Sequence, residues 1–95
     1  MPVNVSIPSY LAAFAGGRNA LTVNSGVTTV RDLLSALWEL HPALQDRIVD
    51  EQGEVRQHIN IFVDGEAIRH LDGLATPVAQ NAEVLIVPAV SGGTR

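Results

Sequence analysis

Val84-Leu85-Ile86-Val87 is an unbroken apolar run near the end of the chain. Four apolar residues without alternation predict a strand buried on both faces in the middle of a sheet. Val3, Val5 and Ile7, alternating with Asn4 and Ser6, predict a half-buried first strand that ends at Pro8. A central last strand beside the first is what a mixed sheet wrapping one helix requires.

The segments between them supply the remaining parts. Tyr10 to Ala15 is apolar and ambiguous. After Gly16-Gly17, Ala20-Leu21-Thr22-Val23-Asn24 reads as a second strand, so the first two strands form a hairpin whose long connection the glycines close. Ser25-Gly26-Val27-Thr28 breaks that strand. Thr29 and Asp32 then have the spacing of a capping box, in which a hydroxyl and a carboxylate satisfy free amides of a helix's first turn. Val30, Leu33, Leu34, Leu37 and Trp38 follow as one apolar stripe at helical spacing, and Pro42 stops the helix. Leu33, Leu34 and Leu37 are expected at the centre of the core. From Ala43 to Gln57 the chain is polar apart from Leu44, Ile48 and Val49, which predicts a short helical turn and then a loop around Gln52-Gly53. Ile59, Ile61 and Val63 alternate with Asn60 and Phe62. Asp64-Gly65 is a two-residue hairpin signal leading into Glu66-Ala67-Ile68, and Asp72-Gly73 marks another turn. The order is strand, strand, helix, strand, short strand, strand. It predicts an α+β chain of β-grasp (ubiquitin-like) architecture, with four to five strands wrapping one main helix. The expected division is a folded body over residues 1–90 and a C-terminal tail over 91–95.

Composition narrows the function. A 95-residue chain holds one core and not two. Its 46% hydrophobic and 17% charged residues are those of a globular domain. No apolar run approaches a membrane span, and the first residues lack the basic and apolar segments of a signal peptide, so the expected compartment is the cytoplasm, away from membranes. Absence of cysteine removes disulfides, thiolate nucleophiles and cysteine-ligated metals, so any sulfur handled here comes from elsewhere. A net charge of −4 argues against nucleic-acid binding, which needs a basic face, and favours partners with basic docking surfaces. All six cations are arginine. Without lysine the chain offers no ε-amine to receive an acyl group.

Candidate chemistry is sparse inside the body. His41, His58 and His70 have no second ligand at metal-binding spacing, so no metal is expected; His41 ends a helix, where a cation suits the dipole. Asp50-Glu51 reads as a solvated face, and Gly16-Gly17 lacks the further glycines and lysine of a phosphate loop. No catalytic residue is expected. Two features remain. One is apolar surplus on the sheet. Phe62 points away from Ile61 and Val63, and one alternating pair of the last strand must face away from the helix, so Phe62, Leu85, Val87, Pro88 and Val90 are candidates for partner docking, unless 43–57 or Tyr10 to Phe14 covers them. The other is the terminus, Ser91-Gly92-Gly93-Thr94-Arg95. Two residues without Cβ thread a channel that a side chain would jam. If Thr94 and Arg95 are removed, Gly93 becomes a bare carboxylate that an ATP-using partner can adenylate, with Ser91 and Gly92 supplying reach.

Four segments together resemble the small ubiquitin-like sulfur carriers, which include the molybdopterin synthase small subunit and the thiamine-pathway carrier. They are Thr29-Val30-Arg31-Asp32-Leu33-Leu34; Ile59 to Gly65 with Ile68-Arg69; Leu71-Asp72-Gly73-Leu74-Ala75-Thr76; and Val84 to Gly93. Val5-Ser6-Ile7-Pro8, Gly16-Gly17, Gly73-Leu74-Ala75-Thr76 and Pro88-Ala89-Val90 resemble the branch used in O-phosphoserine-dependent cysteine synthesis. The resemblance implies that Gly93 is adenylated at the expense of ATP by an E1-like adenylyltransferase and sulfurtransferase and converted to a thiocarboxylate. It further implies delivery to a pyridoxal-phosphate (PLP)-dependent cysteine synthase, with release by a JAMM-type metalloprotease. The chain would be a co-substrate and not an enzyme, with no cofactor bound to itself. Members of this family typically end at the second glycine, whereas Thr94-Arg95 follow it here; either a protease trims the pair or the chain is not activated as written. Three alternatives stand beside this expectation: the small subunit of molybdopterin synthase, a ubiquitin-like modifier of lysines, and a binding module without sulfur transfer.

Overall fold

In the computed structural model, residues 2–24 and 26–89 are described. They form a five-stranded mixed sheet, strand order β2-β1-β5-β3-β4, with all helical elements packed on one face. The strands are β1 (Val3–Ser6), β2 (Ala20–Val23), β3 (Ile59–Val63), β4 (Glu66–Ala67) and β5 (Glu83–Pro88); the helices are α1 (Val30–Leu40) and the single turn α2 (Gln45–Ile48). β5 runs parallel to β1 and antiparallel to β3, which is the mixed β-grasp sheet expected from the sequence.

α1 begins where local chemistry starts it. The Asp32 amide donates to Thr29 Oγ1 at 3.2 Å, so Thr29 is the cap. The Asp32 carboxylate reaches one residue further back than a capping box requires, accepting from the Thr28 hydroxyl at 3.0 Å and the Thr28 amide at 3.4 Å. These bonds to Thr28, with a smaller contribution from Thr29, hold the Asp32 carboxyl below its ordinary pKa against a weak opposing desolvation. A backbone strap closes the same end from outside: Val30 donates to the Thr76 carbonyl at 3.0 Å, and Val78 donates to the Thr28 carbonyl at 2.9 Å. Thr76 is buried, and its hydroxyl accepts from the Asp72 amide at 3.1 Å.

Leu33, Leu34 and Leu37 are buried against Val5, Ile61, Val84 and Ile86 in one core, and each such side chain contributes about 1.5–3 kcal/mol by leaving water. Trp38 sits half-buried at the margin of that core and not within it. Leu44, Ile48 and Val49 are in the core, so the helical 42–48 segment is a second cover and not merely a polar connection. The ambiguous stretch after β1 is a 3-10 helix, Ser9–Ala15, closed by Gly16 and Gly17 at φ +67° and +84°. Ile68 opens a 3-10 turn (Ile68–His70), so β4 stops at Ala67.

One expectation fails. β5 is central, but it is buried on one face only: Val84 and Ile86 are buried, whereas Leu85 is 44% exposed and Val87 is half-buried. The apolar run alone does not distinguish a strand between two layers from one that carries apolar side chains on a solvent face. With every helical element on one side, this sheet has two layers.

Candidate docking face and the base of the tail

Register decides which side chains share the uncovered face. Ser6 pairs with Leu85, Leu85 with Phe62, and Phe62 with Ala67, so these four form one row across β1, β5, β3 and β4. Val87 pairs with Asn60 one step along the same face. Ser6, Phe62, Glu83 and Leu85 border a shallow depression of about 340 Å³. Phe62 is half-buried beside exposed Leu85, which gives the depression an apolar centre.

Polar groups frame that centre. Asn4 pairs with Glu83 and donates from Nδ2 to Oε2 at 3.4 Å. The hairpin turn is tied to the start of β5, because the Glu83 amide donates to Asp64 Oδ1 at 3.0 Å and the Asp64 amide donates to the Glu83 carbonyl at 2.8 Å. Glu83 and the Asp64 turn thus make one side of the face acidic. The sequence reads Asp64 only as part of a turn and does not single out Glu83, although the period-2 alternation of β1 and β3 places Asn4 and Asn60 on the face opposite the core.

Pro88 pairs with Ile59 and so follows the inward alternation of Val84 and Ile86, but it is exposed at the strand end. It does not share the row of Leu85 and Phe62. Beyond it, the Ala89 amide donates to the His58 carbonyl at 2.7 Å, which anchors the chain at the start of β3. Val90, Ser91, Gly92, Gly93, Thr94 and Arg95 lie outside the described residues. Among the described residues, no cluster of three His, Cys, Asp or Glu side chains could hold a metal, and no helix is long and apolar enough to cross a membrane.

Comparison with known proteins agrees with this fold. Sulfur carrier protein CysO of Mycobacterium tuberculosis is 34% identical over 95 residues, covering 98% of this chain and 100% of the relative. Small archaeal modifier protein 1 of Haloferax volcanii is 40% identical over 83 residues, covering 87% of this chain and 91% of its own. A chain in the crystal structure of the Amycolatopsis orientalis BexX/CysO complex superposes with a TM-score of 0.82 at 32% identity, covering 96% of this chain and 99% of that one. The model of the ThiS family matches residues 5–93, from the first strand to the second glycine, and the chain belongs to that family.

Proposed function

We propose that this protein is a cytoplasmic sulfur carrier whose working group is the Gly93 carboxylate, exposed once Thr94 and Arg95 are removed. The observation that carries the reading is the family match itself, which runs from residue 5 and stops at Gly93. Attack of the Gly93 carboxylate on ATP gives an acyl-adenylate and pyrophosphate. A sulfur nucleophile then displaces AMP: hydrosulfide yields the thiocarboxylate directly, and a persulfide yields an acyl disulfide that a second thiol opens. The chain has no cysteine, so this sulfur is supplied by a partner. The body serves as a grip. Phe62, Leu85 and Val87 dock an E1-like activating enzyme, and four residues beyond Ala89 place Gly93 at most about 14 Å from the anchored backbone.

Resemblance to CysO favours a PLP-dependent cysteine synthase as the sulfur acceptor, with a JAMM-type metalloprotease hydrolysing the product from Gly93. That a CysO forms a complex with BexX supports docking of such carriers on partner proteins. The test is an intact mass measurement after incubating the chain truncated at Gly93 with an E1-like enzyme, ATP and a sulfur donor. Exchange of carboxylate oxygen for sulfur, a gain of about 16 Da, is the expected result. An unmodified carboxylate, with the same enzyme competent on another carrier, would reject the proposal.

Similarity to small archaeal modifier protein 1 supports a second reading, transfer of Gly93 to lysines of other proteins. No lysine or arginine lies between Arg69 and Gly93, so trypsin would leave residues 70–93 as a branch on each target lysine. Finding that branch in a digest of cellular protein distinguishes modification from sulfur delivery.

A further inference from the structure

β4 pairs only with Phe62 and Val63, so on that side the Ile59–Ile61 stretch of β3 has no strand neighbour among the described residues. A groove of about 360 Å³ occupies the gap, between the 54–57 loop and the two 3-10 turns that follow β4. Its floor is buried Ile61, and its walls are half-buried Val55 and Leu74. Arg56 and Arg69 line it, against a single acid, Glu54. Arg56 Nε donates to the Asp46 carbonyl at 2.8 Å, and Arg69 donates to Asn60 Oδ1. Each bond uses one of the five donors of a guanidinium, so both arginines retain donors for a carboxylate.

We propose that this groove is a second docking site, taken by a short extended segment of a partner protein that carries apolar side chains beside carboxylates. Charge selects the occupant. The chain has net charge −4, yet this groove holds two cations and one anion. The groove is therefore a locally positive site on an acidic chain, which favours a segment that carries carboxylates. Position adds to the argument: Ile59, at the groove, pairs with Pro88, so a segment seated there lies beside the anchored base of the tail while the outer face stays free. The proposal does not depend on sulfur transfer.

The experiment is an amide NMR titration of the full chain with an acetylated, amidated pentapeptide alternating leucine with aspartate and glutamate. Shifts are expected at Val55, Ile61, Arg69 and Leu74. The analogue with asparagine and glutamine is expected to bind about tenfold more weakly, as is the acidic peptide to Arg69→Gln. Equal binding of the two peptides, shifts centred on Leu85, or no shifts would overturn the proposal. If Arg69→Gln loses its dispersed spectrum, the two peptides on the unaltered chain decide. Shifts at the same amides on deleting residues 94–95 without peptide would assign the groove to the chain's own terminus and also overturn it.

Discussion

Thr29 and Asp32 act on one helix end through different chemistry, and two predictions separate them. Thr29 accepts the Asp32 amide, so Thr29→Ala leaves a first-turn donor to water; it is expected to cost about 1 kcal/mol, read as a lower denaturant midpoint with unchanged slope. The Asp32 carboxylate is stabilised in its charged form by Thr28, so its folded pKa lies below the ordinary value of 3.8. A depressed folded pKa means that the native state binds fewer protons than the unfolded chain. The contribution is complete above the unfolded pKa and disappears as pH falls through the folded one. Asp32→Asn is therefore expected to flatten the pH dependence of stability below about pH 5. In an NMR titration, Thr28→Val should move the Asp32 midpoint upward, because the largest stabilising bond comes from the Thr28 hydroxyl. A midpoint unchanged by that substitution would contradict the assigned cause.

At the scale of elements, the legible features are those whose signal is local. Asp64-Gly65 reads as a hairpin turn because both positions need positive φ, and the structure places them at +49° and +91°. Nothing lies within 4 Å of a Cβ built on Gly65, so Gly65→Ala tests backbone conformation alone. It is expected to cost about 1–2 kcal/mol in thermal or chemical unfolding. The hairpin carries Asp64, which ties β3 to β5, so amide exchange at Glu83 should quicken in the same variant. The illegible features depend on distant partners. Nothing local announces that 76–78 will bond to 28–30, because the two bonds join backbones 46 and 50 residues apart. The faces of β5 were hidden for another reason. Leu85 and Val87 are as apolar as Val84 and Ile86, and hydrophobicity records a preference for leaving water without saying whether a core or a partner provides the shelter.

For the whole molecule, that difference marks the candidate site. A two-layer domain of this size leaves one sheet face in water, and here that face carries Phe62, Leu85 and Val87 among the polar residues that alternation usually places outside. The order of strands and helix was readable from periodicity, and so were Phe62, Leu85 and Val87 as candidates for docking; register added that Leu85 lies between Phe62 and Ser6 and that Pro88 is off that row. The diglycine was readable as chemistry, and under the proposed function its use depends on a partner that grips the body while Gly93 is activated. If Leu85 belongs to that grip, Leu85→Asp should leave the fold intact, because the side chain is largely exposed and exposed substitutions usually change stability by less than about 0.5 kcal/mol. Docking to an E1-like enzyme should weaken, since a carboxylate would have to be desolvated against an apolar surface, a cost of at least about 1.4 kcal/mol, or tenfold. In an adenylation assay with the chain truncated at Gly93, the apparent KM is therefore expected to rise at least tenfold with kcat little changed, whereas Arg31→Gln on the opposite, helical side should leave both alone. An unaltered KM for Leu85→Asp would remove the outer sheet face from the activation step and leave its apolar residues without a role in it.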